Sequence, residues 1–112
     1  MSTLYKSEPF ALATTANTTI YTCPAEVETI IKGIQITNHG AGNTAVECFI
    51  ERNSTTYEIA HKLISANDTS NILATTIILE AGDVLSLTAA SGGVLSGVMP
   101  YLEIRSDTNN PI

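Results

Sequence analysis

Apolar residues in this chain recur at intervals of two, in short runs closed by Gly, Asn, Ser or Pro. No run of useful length repeats at the three-to-four-residue interval of a helix face. This regularity excludes helical bundles and alternating α/β folds. It leaves antiparallel sheets, in which each strand buries one face and wets the other. The longest run lies between Thr22 and Asn38. Ile30, Ile34 and Ile36 fall on one parity, interrupted by Lys32, while Ile31, Gly33, Gln35 and Thr37 fall on the other. Successive strand side chains point to opposite faces, so the pattern predicts one long strand with a greasy face and a mixed face. Pro24 cannot donate to a ladder and marks the loop before it. His39 to Asn43, with two glycines, stops it.

The same reading gives seven or eight strands in all. A short first strand is expected at Phe10 to Ala13, then Thr18 to Thr22, then the long strand. In Thr44 to Arg52, Val46, Cys48, Ile50 and Arg52 turn inward, and Phe49 sits outside among Glu47 and Glu51. Asn53-Ser54 is a hairpin turn. Thr55 to Ile64 places Tyr57, Ile59, His61 and Leu63 on one parity. Ser65 to Asn71 reads as a loop and Ile72 to Leu79 as a strand. Glu80 to Asp83 is a turn in which Gly82 takes positive φ. Val84 to Ala90 and Leu95 to Arg105 complete the set, with a turn at Ser91 to Gly93 between them. The expected fold is all-β: an antiparallel β-sandwich, jelly-roll-like, in one domain spanning residues 1–112. Residues 1–9 read as an N-terminal arm and residues 106–112 as a C-terminal tail.

A chain of 112 residues can close a modest core without metal or disulfide staples. Only 14% of its residues are charged, against about 25% in an average globular chain. Sixteen threonines replace much of that charge, giving a polar surface that is cheap to desolvate against neighbouring subunits. The net charge is −6, and the five basic residues (Lys6, Lys32, Arg52, Lys62, Arg105) are scattered. Without a basic stripe, nucleic acid and anionic membranes are excluded as partners. No run of about twenty apolar residues could form a membrane helix. The amino terminus has no basic region followed by an apolar core, so synthesis and folding in a cytosol is expected. Cys23 and Cys48 match no zinc spacing. A reducing cytosol favours two free, half-buried thiols, with a bridge between them as the alternative.

Chemistry-bearing patterns are sparse. His39 and His61 have no Gly-x-Ser-x-Gly elbow to work with. Ser91 to Gly97 is glycine-rich, but it lacks a following Lys and leads into a strand, whereas phosphate loops back onto a helix. Glu26 with Glu28, and Glu80 with Asp83, are the close acid pairs. Paired acids act on sugars in clefts lined with aromatics. With no Trp, four Tyr and two Phe, a carbohydrate-binding module on a sandwich scaffold is a poorly supplied alternative. Asn67, Asp68 and Asn71 lack the spacing of a calcium loop. The expectation is a protein that is not an enzyme and has no catalytic, cofactor or metal residue. Its candidate functional residues are surface ones: Leu4, Tyr5 and Phe10 near one terminus, Pro111 and Ile112 at the other, Lys32, and Phe49. The terminal apolar residues read as arms reaching onto neighbouring subunits.

Three stretches carry a resemblance: Thr19-Ile-Tyr-Thr-Cys-Pro-Ala25, Ile30-Ile-Lys-Gly-Ile-Gln-Ile-Thr-Asn38, and Leu79-Glu-Ala-Gly-Asp-Val-Leu-Ser-Leu87. Their strand-and-turn pattern resembles small β-sandwich structural proteins of tailed bacteriophages, over residues 18–104. Cys23 stands where that family often has an aliphatic residue, and the segment after Arg105 has no counterpart. The resemblance implies a virion component, synthesised in the host cytoplasm. The first expectation is a capsid decoration (cement) protein that binds the outside of the major capsid lattice, as a homo-oligomer with a trimer favoured. A tail, collar or fibre component is the alternative.

Overall fold

The computed structural model describes residues 2–105. It contains ten strands: β1 (Ser2–Leu12), β2 (Thr18–Thr22), β3 (Val27–Ile31), β4 (Gln35–Asn38), β5 (Thr44–Arg52), β6 (Thr55–Ile64), β7 (Asp68–Asn71), β8 (Ile77–Leu79), β9 (Val84–Ala89) and β10 (Leu95–Arg105). They form two antiparallel sheets packed as a sandwich. The larger sheet is built on β10. Along one edge of β10 runs the whole of β1. Along the other run β4 beside Leu95–Val98 and β3 beside Tyr101–Arg105. Beyond these, β7 pairs with β4 and β8 with β3. The smaller sheet has the order β2-β9-β5-β6. The core lies between the sheets and includes Leu12, Ile31, Ile34, Ile36, Val46, Ile64, Leu79, Leu85, Leu87, Leu95 and Met99, each no more than 1% exposed.

The fold class agrees with the sequence reading, but three local readings are corrected. The stretch from Val27 to Asn38 is not one strand. Residues 32–34 interrupt it, and Asn71 holds the interruption: its Oδ1 accepts from the Ile34 amide at 3.0 Å and the Leu73 amide at 3.2 Å. The break shifts the phase by one residue. Val27, Thr29 and Ile31 face the core before it, and Ile34, Ile36 and Asn38 after it. Ile30 therefore leaves the core stripe, and exposed Lys32 no longer interrupts it. A second slip lies between Cys48 and Phe49, where β6 bulges at Ile59. Tyr57 faces inward opposite Ile50, but His61 and Leu63 lie on the outer face opposite Glu47 and Ala45. The four residues do not share a face.

The third correction concerns lengths. The first strand does not begin at Phe10: from Ser2 onward it pairs residue for residue with β10. Asp68–Asn71 is a strand, not a loop. Only Ile77–Leu79 of the expected Ile72–Leu79 strand joins a ladder, while Ile72 and Leu73 are buried as a crossing segment. Turn chemistry behaves as expected. Asn53 and Ser54 both adopt positive φ, as do Gly82 and Gly93. The stop after β4 is fixed by buried Asn38. Its amide donates to Gly42 O and Ile64 O, and its Oδ1 accepts from the Gly40 amide, each at 2.9 Å.

The phase shift is testable. Ile31→Ala removes a fully buried side chain and should cost about 2–5 kcal/mol, whereas Ile30→Ala should cost less than about 1.5 kcal/mol. Urea unfolding of both variants at low protein concentration measures the difference. Equal costs would contradict the break.

Candidate functional site

The strand β1 lies along the outer edge of β10, where the smaller sheet leaves most of it uncovered, and so overhangs. Its even residues share the inner face with Leu95, Met99, Tyr101 and Glu103, but only Leu12 at its end is buried. Leu4 is 44% exposed opposite Glu103, and Phe10 is half-buried opposite Gly97. A Cβ on Gly97 would lie 2.1 Å from Gln35 O and 2.8 Å from the Phe10 ring, so the missing side chain is what lets these groups close. Tyr5 points to the opposite, outer face and is 84% exposed.

The overhang is tied down by a buried carboxylate. Glu103 is 3% exposed. Its Oε2 accepts from the Tyr21 hydroxyl at 2.5 Å, and that hydroxyl also lies 2.8 Å from Thr29 Oγ1. Its Oε1 has the Lys6 ammonium at 3.1 Å and Arg105 at 3.8 Å, with no hydrogen bond of good geometry. Burial works to raise the Glu103 pKa, but the Tyr21 hydrogen bond and the Lys6 charge outweigh it and hold the carboxyl below its ordinary value. Tyr21 is itself pushed up, first by burial and then by Glu103. At the same end of the sandwich, buried Asp83 takes a forked contact from Arg52 and accepts the Glu80 amide at 2.8 Å. The Arg52 hydrogen bond lowers the Asp83 pKa against burial.

The outer face of the larger sheet carries an apolar row that the sequence did not reveal. Ile78, Ile30, Leu102 and Tyr5 are direct partners across the adjacent strands β8, β3, β10 and β1. Ile78 is 59% exposed, and Ile30 and Leu102 are half-buried. The signal could not be found from spacing, because it exists only once the register across four strands is set. Lys32 lies on this face. Its amide donates to Pro100 O at 3.0 Å, continuing the ladder of β3. A shallow depression at the break is lined by Lys32, Gln35, Val98 and Pro100. Glu28 is exposed two residues away on the other side of Ile30.

The outer face of the smaller sheet has a different character. Phe49 sits where expected, half-buried among Glu47 and Glu51, and lines a depression of about 270 Å³ with Asn17, Thr19 and Ser86. The bulge in β6 brings Glu58 and His61 to one face beside Glu47, with His61 Nδ1 at 3.2 Å from Glu58 and 3.7 Å from Glu47. The Glu47 pKa is raised, first by its hydrogen bond with Glu58. These three could offer ligand atoms to a cation, but they stand open to solvent with no enclosed position between them. Tyr5 and Lys32 thus share one face, Leu4 and Phe10 another, and Phe49 a third. Pro111 and Ile112 lie outside the described residues. Both cysteines are fully buried and unbonded, deeper than the half-buried thiols expected. Burial pushes the Cys48 thiol up to about 12.

No family model matches the sequence, and no curated protein matches it either. Solved structures do match in shape. A chain of the disulfide-linked pili that form Bacillus endospore appendages superposes with a TM-score of 0.59 at 8% identity, covering 95% of this chain and 90% of that one. A chain of the extra small virus particle of the giant freshwater prawn Macrobrachium rosenbergii gives 0.51 at 12% identity, covering 96% and 80%. A pentameric capsid protein from metagenomic phage sequences gives 0.49 at 18% identity, covering 95% and 64%. These three come from pili, a virus particle and a phage capsid, and at such identities what they share with this chain is the fold.

Two predictions follow from the buried groups. Because the folded pKa values of Asp83 and Glu103 are depressed, their stabilisation is complete above the ordinary carboxylate pKa of about 4 and is lost as pH falls through the lowered values. Asp83→Asn should therefore flatten the acid limb of unfolding free energy against pH, and an unchanged limb would contradict the assignment. Both thiols should resist a thiol-reactive probe in the native protein and react together on unfolding in urea. Rapid native labelling of either one would show that it is not sealed.

Proposed function

We propose that this chain is a structural subunit of a virus particle and, within that class, a decoration (cement) protein on the outside of a tailed-phage capsid. The observation that carries the reading is the β1 overhang. Ser2–Pro9 is exposed and joined to the body of the larger sheet through β10, so it offers a strand edge and side chains to a neighbour. The fold it shares with the prawn virus chain supports a shell-associated role. So does the resemblance to phage β-sandwich proteins. The net charge of −6 suits the outside of a DNA-filled shell better than its lumen. In this reading the partners are the major capsid protein and further copies of the chain, and no catalysis is assigned. A tail, collar or fibre position is the second choice. Hundreds of copies per particle by quantitative mass spectrometry would favour the head.

The pilus-like fold favours a polymerising subunit as another reading. Disulfide linkage between subunits would need an accessible thiol, however, and Cys23 and Cys48 are 1% and 0% exposed. That weakens it for this chain.

Deleting residues 1–9 should leave a folded sandwich, because Leu12 is the one β1 residue in the core. The melting temperature should fall, since Glu103 loses Lys6. Binding to undecorated capsids should be lost. Full decoration by the folded truncated protein would refute the arm.

A further inference from the structure

The two outer faces differ in a way that selects one of them for a protein contact. The outer face of the smaller sheet carries Glu47, Glu51 and Glu58 with a single histidine, so two copies would repel across it. The strands of the larger sheet present on their outer face one acid, Glu28, and one base, Lys32, on either side of Ile30. Between them runs the row Tyr5–Leu102–Ile30–Ile78. Ile78 and Tyr5 are two of the five large apolar side chains exposed among the described residues. Aligned exposed apolar groups of this kind mark an interaction surface.

We propose that this face is a two-fold contact between two copies of the chain, the apolar row of each packed against the row of the other. The charges fix the symmetry. A two-fold axis lying along the row reverses strand direction and leaves the row in place. It therefore sets Glu28 of each copy against Lys32 of the other, twice per interface. The patch complements itself, which is the requirement of an isologous contact. A three-fold ring would need two different patches on each subunit, and this face is one. The four strands hold 30 residues; at about 3.4 Å rise and about 4.8 Å spacing they offer roughly 500 Å² per copy, which is the lower end of the range for a specific contact and suits a weak, reversible dimer. Strands reversed across such a face meet within the shallow angle of aligned sheet packing. The contact does not rest on the virion reading. It also leaves the inner face of β1, with Leu4 and Lys6, free for the capsid.

Sedimentation velocity of the purified full chain, over a range of concentrations and with circular dichroism to check folding, tests the proposal. The wild type should form a dimer. Lys32→Glu should weaken it by about tenfold or more, because like charges then meet on both sides of the row. Glu28→Lys with Lys32→Glu should restore it, since the swapped pair is again complementary. Ile30→Asp should give a folded monomer. A wild type that is monomeric or trimeric throughout overturns the proposal. So does a double swap that dimerises no better than the single variant. Loss of dimer with intact capsid binding would leave the decoration reading standing, and the reverse result would leave the dimer standing.

Discussion

The backbone ladder of β10 is the constraint on which the rest depends. Eleven residues, Leu95–Arg105, bond to β1 along one edge and to β3 and β4 in succession along the other. Alternation along this strand decides what is core and what is surface. Met99 and Tyr101 go inward, and Leu102 and Ile104 half-exposed outward. Because β3 and β4 both take their register from it, the break at residues 32–34 is obligatory. A single unbroken strand would place Ile31 and Ile34 on opposite faces, yet both are fully buried. Asn71 makes the interruption tolerable by satisfying the two amides that the ladder leaves behind.

Polar groups inside the sandwich are few and nearly all paired, which is how a core this small tolerates them. Asn38 closes one end and Asp83 the other. Glu103 is different. It sits in the core-facing row, relies on Lys6 from the overhanging strand for much of its compensation, and keeps one oxygen without a good hydrogen bond. Attachment of β1 and comfort of the buried carboxylate are therefore one interaction. The strand best placed to meet a neighbour is also the one whose docking the core can register.

Much of the fold was legible because turn chemistry and period-two alternation are local. The hairpin at Asn53-Ser54, the turn at Gly82 and the whole of β10 could be read directly. What escaped required partners. The parity of Ile30 was misread because a one-residue phase shift leaves no mark in composition, and His61 and Leu63 were misplaced by a bulge for the same reason. Asp68–Asn71 looked like a loop because Asp, Thr, Ser and Asn are turn residues, yet β4 supplies the ladder that makes it a strand. Of the surface candidates, Tyr5 and Lys32 share a face, and Ile30 lies on the parity of Lys32, but Leu102 and Ile78 come from two other places in the chain. No spacing rule could have joined them.

The exposed strand β1, joined to the body only through β10, is the part of this sandwich that offers itself to a neighbour. The most direct measurement is a cryo-EM reconstruction of the particle that carries the chain. The account predicts sandwich-shaped density on the outer surface of the shell, with β1 against the underlying lattice. Density confined to the shell interior would contradict it.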